Sequence, residues 1–164
     1  MIMNRILFVA FFCGFSALVQ AQEMSLLDSG YAYYDAGEYE KAIEIFKKGI
    51  VTTPDNPELF YLLGVCQSLS GDNYSAIQNY EKAIALAPDY AEVYYEKGYA
   101  HYLMGKLEKA MEAFDKAIEL RPNYAEAYVN RGSLKCMQGD SSGAEADWEK
   151  AASLGAALPV RKCD

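Results

Sequence analysis

AEVYYEKGYAHYLMGKLEKAMEAFDKAIELRPNY, residues 91–124, carries two helical patterns on either side of Gly105. Before the glycine, Val93, Tyr94, Gly98 and His101 recur at helical spacing; after it, Leu107, Met111, Phe114 and Ile118 do the same. Each half is an amphipathic helix, and a glycine turn between them makes the stretch a helical hairpin.

The stretch is one of several copies. Gly30, Gly64, Gly98 and Gly132 stand 34 residues apart, as do Ala42, Ala76, Ala110 and Ala144, the aromatics Phe46, Tyr80, Phe114 and Trp148, and Pro54, Pro88 and Pro122. One shared stride predicts four units, at 23–56, 57–90, 91–124 and 125–158, each turning at Gly37, Gly71, Gly105 or Gly139. A unit of this size cannot bury its apolar face alone, so it must stack on a neighbour. Glycine in the first helix and alanine in the second let two backbones approach, and the aromatic four places after the alanine fills the adjacent space. The prolines stop each second helix, because they lack an amide donor and disfavour helix in the residue before them. Asp55 with Glu58, Asp89 with Glu92, and Asn123 with Glu126 have capping-box spacing and are expected to open the next helix.

At these residues the chain resembles the tetratricopeptide repeat family, whose helix–turn–helix unit has this Gly, Tyr, Ala, Phe and Pro pattern. The resemblance covers about 23–158 and implies an all-α fold, an α-solenoid of four repeats forming a right-handed superhelix. The last copy departs from the pattern. Ala156 replaces the closing proline, Lys135 replaces an aromatic, and Ser141, Ser142 and Gly143 weaken the start of the second helix.

Residues 1–21 read differently. A short segment with one charge, Arg5, precedes the apolar run Ile6–Val19, and Val19-Gln20-Ala21 offers a cleavage site. This predicts an export signal and a mature chain in the periplasm or secreted, with no membrane insertion after cleavage. An uncleaved anchor is the alternative, but the run is shorter than the roughly 20 residues a bilayer requires. Acylation at Cys13 is disfavoured by the bulky Phe11 and Phe12 before it. The chain has 15 basic and 23 acidic residues, a formal charge of −8. Lysines scattered between glutamates make no clustered basic face, so nucleic acid and anionic lipid are disfavoured partners.

Three cysteines lie beyond the signal. Cys66 falls in a column of small residues and reads as a buried hydrophobe. The tail, 159–164 with the residues just before it, occupies the slot of a fifth first helix and can fold back, so a Cys136–Cys163 bridge and free thiols both remain open. The single histidine, His101, shares a column with Tyr33 and reads as a packing residue. Asn73-Tyr74-Ser75 fits a glycosylation triplet. No nucleophile–histidine pairing, metal-ligand spacing or phosphate loop appears, so neither an enzyme nor a cofactor is expected.

In the resembled family the first helices line a concave face. Carried over place by place, that face takes Met24, Leu27, Tyr31 and Tyr34, then Glu58, Tyr61, Val65 and Ser68, then Glu92, Tyr95, Tyr99 and Tyr102, then Glu126, Val129, Ser133 and Cys136. Members that clamp a chaperone's terminal carboxylate use lysine, asparagine and arginine there, whereas this chain has Leu27, Tyr31 and Glu92. The expectation is a tyrosine-rich, acidic-edged groove for a protein or peptide partner of basic or proline-rich character, serving a scaffold of the cell envelope. The alternative is an assembly factor or holdase for exported clients. Homo-oligomers through the array ends are a further expectation, with Leu26, Leu27, Ala151 and Leu154 as the apolar residues there.

Overall fold

The computed structural model describes residues 25–157 and 163. The export-signal reading, Met24 and most of the tail lie outside the described residues. Among them the secondary structure is entirely helical. Helix α1 covers residues 25–35. It is followed by α2 (Tyr39–Thr52), α3 (Pro57–Leu69), α4 (Asn73–Leu86), α5 (Ala91–Leu103), α6 (Leu107–Leu120), α7 (Ala125–Met137) and α8 (Ser141–Ser153). Each helix from α2 to α7 packs on its sequence neighbours, and α3 also touches α5, which makes the array a solenoid.

The turns form where the glycines predict them. Gly105 has φ +71°, a left-handed conformation that costs a residue with a Cβ, and Gly37, Gly71 and Gly139 repeat it. At each turn the amide after the glycine reaches back five residues, as from Lys106 N to His101 O at 2.9 Å, closing the helix end. The second helices end instead at Thr53, Ala87 and Arg121, each one residue before a proline. Helix α8 ends differently, on Gly155 at φ +90° with Ala156 N donating to Ala151 O at 3.0 Å. Where the fourth closing proline is missing, the chain uses the glycine closure of the first helices.

The capping boxes are corrected. Helix α3 is capped by Asn56, whose side chain accepts from Glu58 N at 2.9 Å, with Pro57 in the first position. Helices α5 and α7 start one residue later than Asp89 and Asn123 require. Tyr90 and Tyr124 hold their cap positions and make no side-chain cap bond. Their rings pack instead on Tyr61 at 5.2 Å and Tyr95 at 4.9 Å, so aromatic contact takes the place of polar capping. The weak start of α8 has its own remedy. Asp140 accepts from Gly143 N at 2.9 Å and from Ser142 Oγ at 3.2 Å.

Within each hairpin the aromatic lies directly on the glycine. A Cβ on Gly98 would meet Phe114 ring atoms at 2.8 and 2.9 Å, and one on Gly64 would meet Tyr80 at 2.5 Å. Phe46, Tyr80 and Phe114 are fully buried in this contact. Cys66 is buried too, which pushes its thiol up to about 11. His101 is buried among the helices as a packing residue. In the last hairpin, Lys135 pairs with the buried Asp147 at 2.9 Å, and Arg131 grips the same carboxylate at 2.6 and 2.8 Å while reaching Asp115 of α6 at 2.7 Å. Burial alone raises the Asp147 carboxyl, but these cationic donors outweigh it and hold the group below its ordinary value.

Cys136 and Cys163 form a disulfide with Cα atoms 5.4 Å apart, closing a loop of 27 residues. This corrects Cys136 as a groove-lining thiol, since its sulfur is committed to the bridge. Ala151, expected to be exposed at the array end, is fully buried, and Leu154 is half-buried. The fourth hairpin therefore presents less apolar surface at that end than its sequence suggests.

Candidate functional site

The first helices α1, α3, α5 and α7 place their tyrosines and glutamates in three connected groups. At the α1 end, the Tyr31 hydroxyl donates to Glu58 Oε1 at 3.0 Å, and the Tyr34 ring lies 6.1 Å from Tyr39. In the middle, Tyr61 packs against Tyr90, and Glu92 forms an ion pair with Arg121. Toward the other end, Tyr95 lies between Phe114 at 5.8 Å and Tyr124 at 4.9 Å, and its hydroxyl accepts from Asn130 Nδ2 at 3.0 Å. Tyr99 and Tyr102 stand 6.2 Å apart.

Two clefts open on this face. One, of about 230 Å³, is lined by Tyr99, Tyr102, Phe114, Val129, Asn130, Ser133 and Leu134. The other, of about 330 Å³, is lined by Tyr95, Glu126, Val129, Asn130 and residues 155–157. Both include Val129 and Asn130, so they adjoin. Tyr31 and Tyr99 leave 37% and 40% of their surface open to solvent. Tyr61 and Tyr95 are different: they pack against two core clusters each and hold hairpins together as well as lining the face.

Burial, and for Tyr31 the bond to Glu58, pushes the Tyr31 phenol up to about 12, and burial does the same at Tyr95. Burial also raises Tyr34, Tyr61, Tyr90 and Tyr124. These rings are neutral at any physiological pH, so the charge of the face is set by its carboxylates and Arg121.

Arg121 and Glu96 are the two residues that column reading missed. Arg121 caps α6, and its guanidinium lies 4.8 Å from the Tyr124 ring centre, so the acidic edge includes one cation that comes from a second helix. Glu96 lies on α5 between Tyr95 and Lys97, half-buried, and burial pushes its carboxyl up to about 7. Its own column holds Asp28, Leu62 and Asn130, so no repeated chemistry marks it.

A cavity of about 540 Å³ lies on the opposite side of α5, between α4 and α6, lined by His101, Lys97, Lys106, Lys109 and Lys116 among others. Lys97 there pairs with Glu81 at 3.2 Å and Lys116 with Glu119 at 2.7 Å. Among the described residues, no three His, Cys, Asp or Glu side chains gather as metal ligands, and no helix is long and apolar enough to cross a membrane.

Profiles described as TPR repeat match residues 30–71 and 69–105, and profiles described as tetratricopeptide repeat match 91–124 and 113–146. A crystal structure of MamA is similar at 32% identity, covering 81% of this chain and 78% of that one, with a TM-score of 0.76. MamA residues 41-end from Desulfovibrio magneticus RS-1 is similar at 26% identity, covering 81% and 75%, with a TM-score of 0.74. The first TPR of Spaghetti (RPAP3), bound to the HSP90 peptide SRMEEVD, is similar at 26% identity, covering 73% and 94%, with a TM-score of 0.70. No curated protein matches the chain. The repeated Gly–aromatic contacts, the hairpin array and these matches together make the chain a member of the tetratricopeptide repeat family.

Proposed function

We propose that this chain is a non-catalytic binding module, built of four family repeats, that holds an extended segment of a partner protein along the concave face of its first helices. The observation that carries this reading is the open pair Tyr31 and Tyr99 with the adjoining clefts around Val129 and Asn130. Large rigid rings with polar tips bind at small entropic cost, and they are enriched where proteins recognise peptides. The charge favours a basic or proline-rich segment, since Glu58 and Glu126 edge the face and Arg121 is already paired. The related RPAP3 domain takes the peptide SRMEEVD, which has two glutamates and an aspartate. The lysine-free columns here suit the opposite charge.

The apolar leader and the Cys136–Cys163 bridge both suit an exported chain working as a scaffold in an oxidising envelope compartment. Affinity capture from an envelope extract tests the reading, using the wild type beside a Tyr99→Ser, Glu126→Lys variant, both positions being exposed. One partner retained by the wild type and lost by the folded variant is expected. Equal recovery by both proteins would place binding elsewhere, and capture of many unrelated unfolded proteins would favour a holdase.

A further inference from the structure

The fourth hairpin holds a charged cluster that the third repeats with one member missing. Around the buried Asp147, Arg131 donates at 2.6 and 2.8 Å and also reaches Asp115 of α6, while Lys135 pairs with the same carboxylate at 2.9 Å. One stride earlier, Lys97 stands for Arg131, His101 for Lys135 and Glu81 for Asp115, but Ala113 stands for Asp147. The outer contact survives the exchange, since Lys97 pairs with Glu81 at 3.2 Å as Arg131 does with Asp115. The central carboxylate does not. The second hairpin carries Leu63, Gln67 and Asn79 at these places and closes them with a neutral bond of 2.6 Å. Of these three hairpins, only the third keeps the basic side chains and lacks the acid between them.

The place left by Ala113 is open. Ala113, His101, Lys97 and Glu81 all line the cavity of about 540 Å³ between α4 and α6. His101 is only 6% exposed, and its Nδ1 has no hydrogen-bond partner. Along α6 the lining continues with Lys106, Lys109, Glu112 and Lys116. Lys106 Nζ lies 4.0 Å from the Met104 sulfur, and among the described residues neither it nor Lys109 forms an ion pair. Burial is the first cause that holds His101 below its ordinary value, and Lys97, Lys109 and Lys106 add to it while Glu81 opposes them. Four lysines thus outnumber Glu81 and Glu112 in this cavity, in a chain whose formal charge is −8. From Lys106 to Lys116 the basic side chains extend over about 15 Å of helix, a spread that suits several carboxylates on one chain better than a single small acid. Glu81 and Glu112 among them oppose an unbroken run of phosphates.

We propose that this cavity binds an acidic segment of a partner protein, one carboxylate of which takes the place that Ala113 leaves, against Lys97 and His101, as Asp147 lies against Arg131 and Lys135. Neighbouring acids of the segment meet Lys106, Lys109 and Lys116. The surface lies on the opposite side of α5 from the concave groove, so it is independent of what binds there. An entering carboxylate offsets the lysines' field and stabilises the charged imidazole, which then serves as the second cation on that carboxylate.

The test follows His101 by NMR in the purified full chain, where it is the single histidine. The probes are a decapeptide of alternating glutamate and serine and its glutamine–serine twin. The acidic decapeptide is expected to bind at least about tenfold more tightly than the twin and, at saturation, to raise the His101 titration by at least about half a pH unit. Reversing two exposed charges with Lys106→Glu and Lys109→Glu is expected to weaken the acidic decapeptide by at least about tenfold. Ala113→Asp, checked for helicity, supplies the carboxylate from within: it is expected to raise the His101 titration without any peptide and to weaken the acidic decapeptide at least about fivefold. A His101 titration that ignores the acidic decapeptide, equal binding of the twin, or binding kept in the reversed-charge variant overturns the site. Decauridylate binding as tightly as the acidic decapeptide overturns the assignment to a protein segment. Folded Ala113→Asp with an unmoved His101 overturns the place given to the carboxylate.

Discussion

Gln67 and Asn79 occupy positions that take a different chemistry in each hairpin. Here they share a buried hydrogen bond of 2.6 Å; one stride later the same positions hold His101 and Ala113, and one later still Lys135 and Asp147, joined as ions. Ala113 offers only a methyl, and the buried His101 Nδ1 is correspondingly without a partner. Burial comes first among the causes that keep His101 below its ordinary value, with Lys97, Lys109 and Lys106 adding to it. Glu96 is the opposite case of a buried titratable group, and it gives a prediction with a definite sign. Its carboxyl rises from an ordinary 4.5 to about 7, so between those values the folded chain binds a proton that the unfolded chain does not. Stability from this group is full near pH 4.5, falls as pH climbs to 7, and stays lost above. Glu96→Gln removes the penalty. It is expected to gain about 2 kcal/mol and roughly 5 °C at pH 8, and almost nothing at pH 4.5, in thermal unfolding followed by circular dichroism. Equal melting gains at both pH values would show that burial does not govern Glu96.

At the scale of elements, two kinds of glycine are separable by experiment. Gly98 is held by what lies above it, the Phe114 ring at 2.8 Å and the Ala110 carbonyl at 3.3 Å from an added Cβ, whereas Gly105 has open space and a positive φ. Gly98→Ala is expected to cost about 1–3 kcal/mol by forcing helices apart, and Gly105→Ala about 1–2 kcal/mol through backbone strain alone. Denaturant unfolding of both variants checks this, and a neutral Gly98→Ala would mean the hairpin has slack. These elements were legible in the sequence because packing repeats with the stride: glycine, alanine, aromatic and turn recur in every copy. What repeats poorly was not legible. Tyr90 and Tyr124 took cap positions from Asp89 and Asn123 because a ring can stack on the preceding first helix, which local spacing does not reveal. Arg121 and Glu96 escaped notice because one arrives from a helix end outside the first-helix columns and the other stands in a column that reads Asp, Leu, Glu, Asn. The tyrosines were placed on the right helices, but Tyr61 and Tyr95 also serve the core, so truncating them perturbs folding along with any binding.

At the scale of the molecule, an array of hairpins gains stability chiefly from nearest neighbours, and its ends are its weakest parts. The described residues show that the last hairpin is reinforced twice, by the Arg131 and Lys135 pairs on Asp147 and by the disulfide. Closing a 27-residue loop is worth about 3 kcal/mol on chain-entropy grounds. Reduction, or Cys163→Ser, is expected to lower the melting temperature by several degrees, and reductant is expected to have no further effect on Cys163→Ser. A melt that ignores reductant in the wild type would show that the bridge adds no stability.

The same bridge reroutes mechanical load. If the chain is pulled between its first hairpin and a point beyond Cys163, tension passes from Cys136 straight across sulfur to Cys163, and α8 hangs off the line of force. The 27 residues spanned by the bridge, roughly 90 Å of extended contour, stay out of the stretch until the sulfurs separate. Redox state then sets how far the chain can lengthen under load.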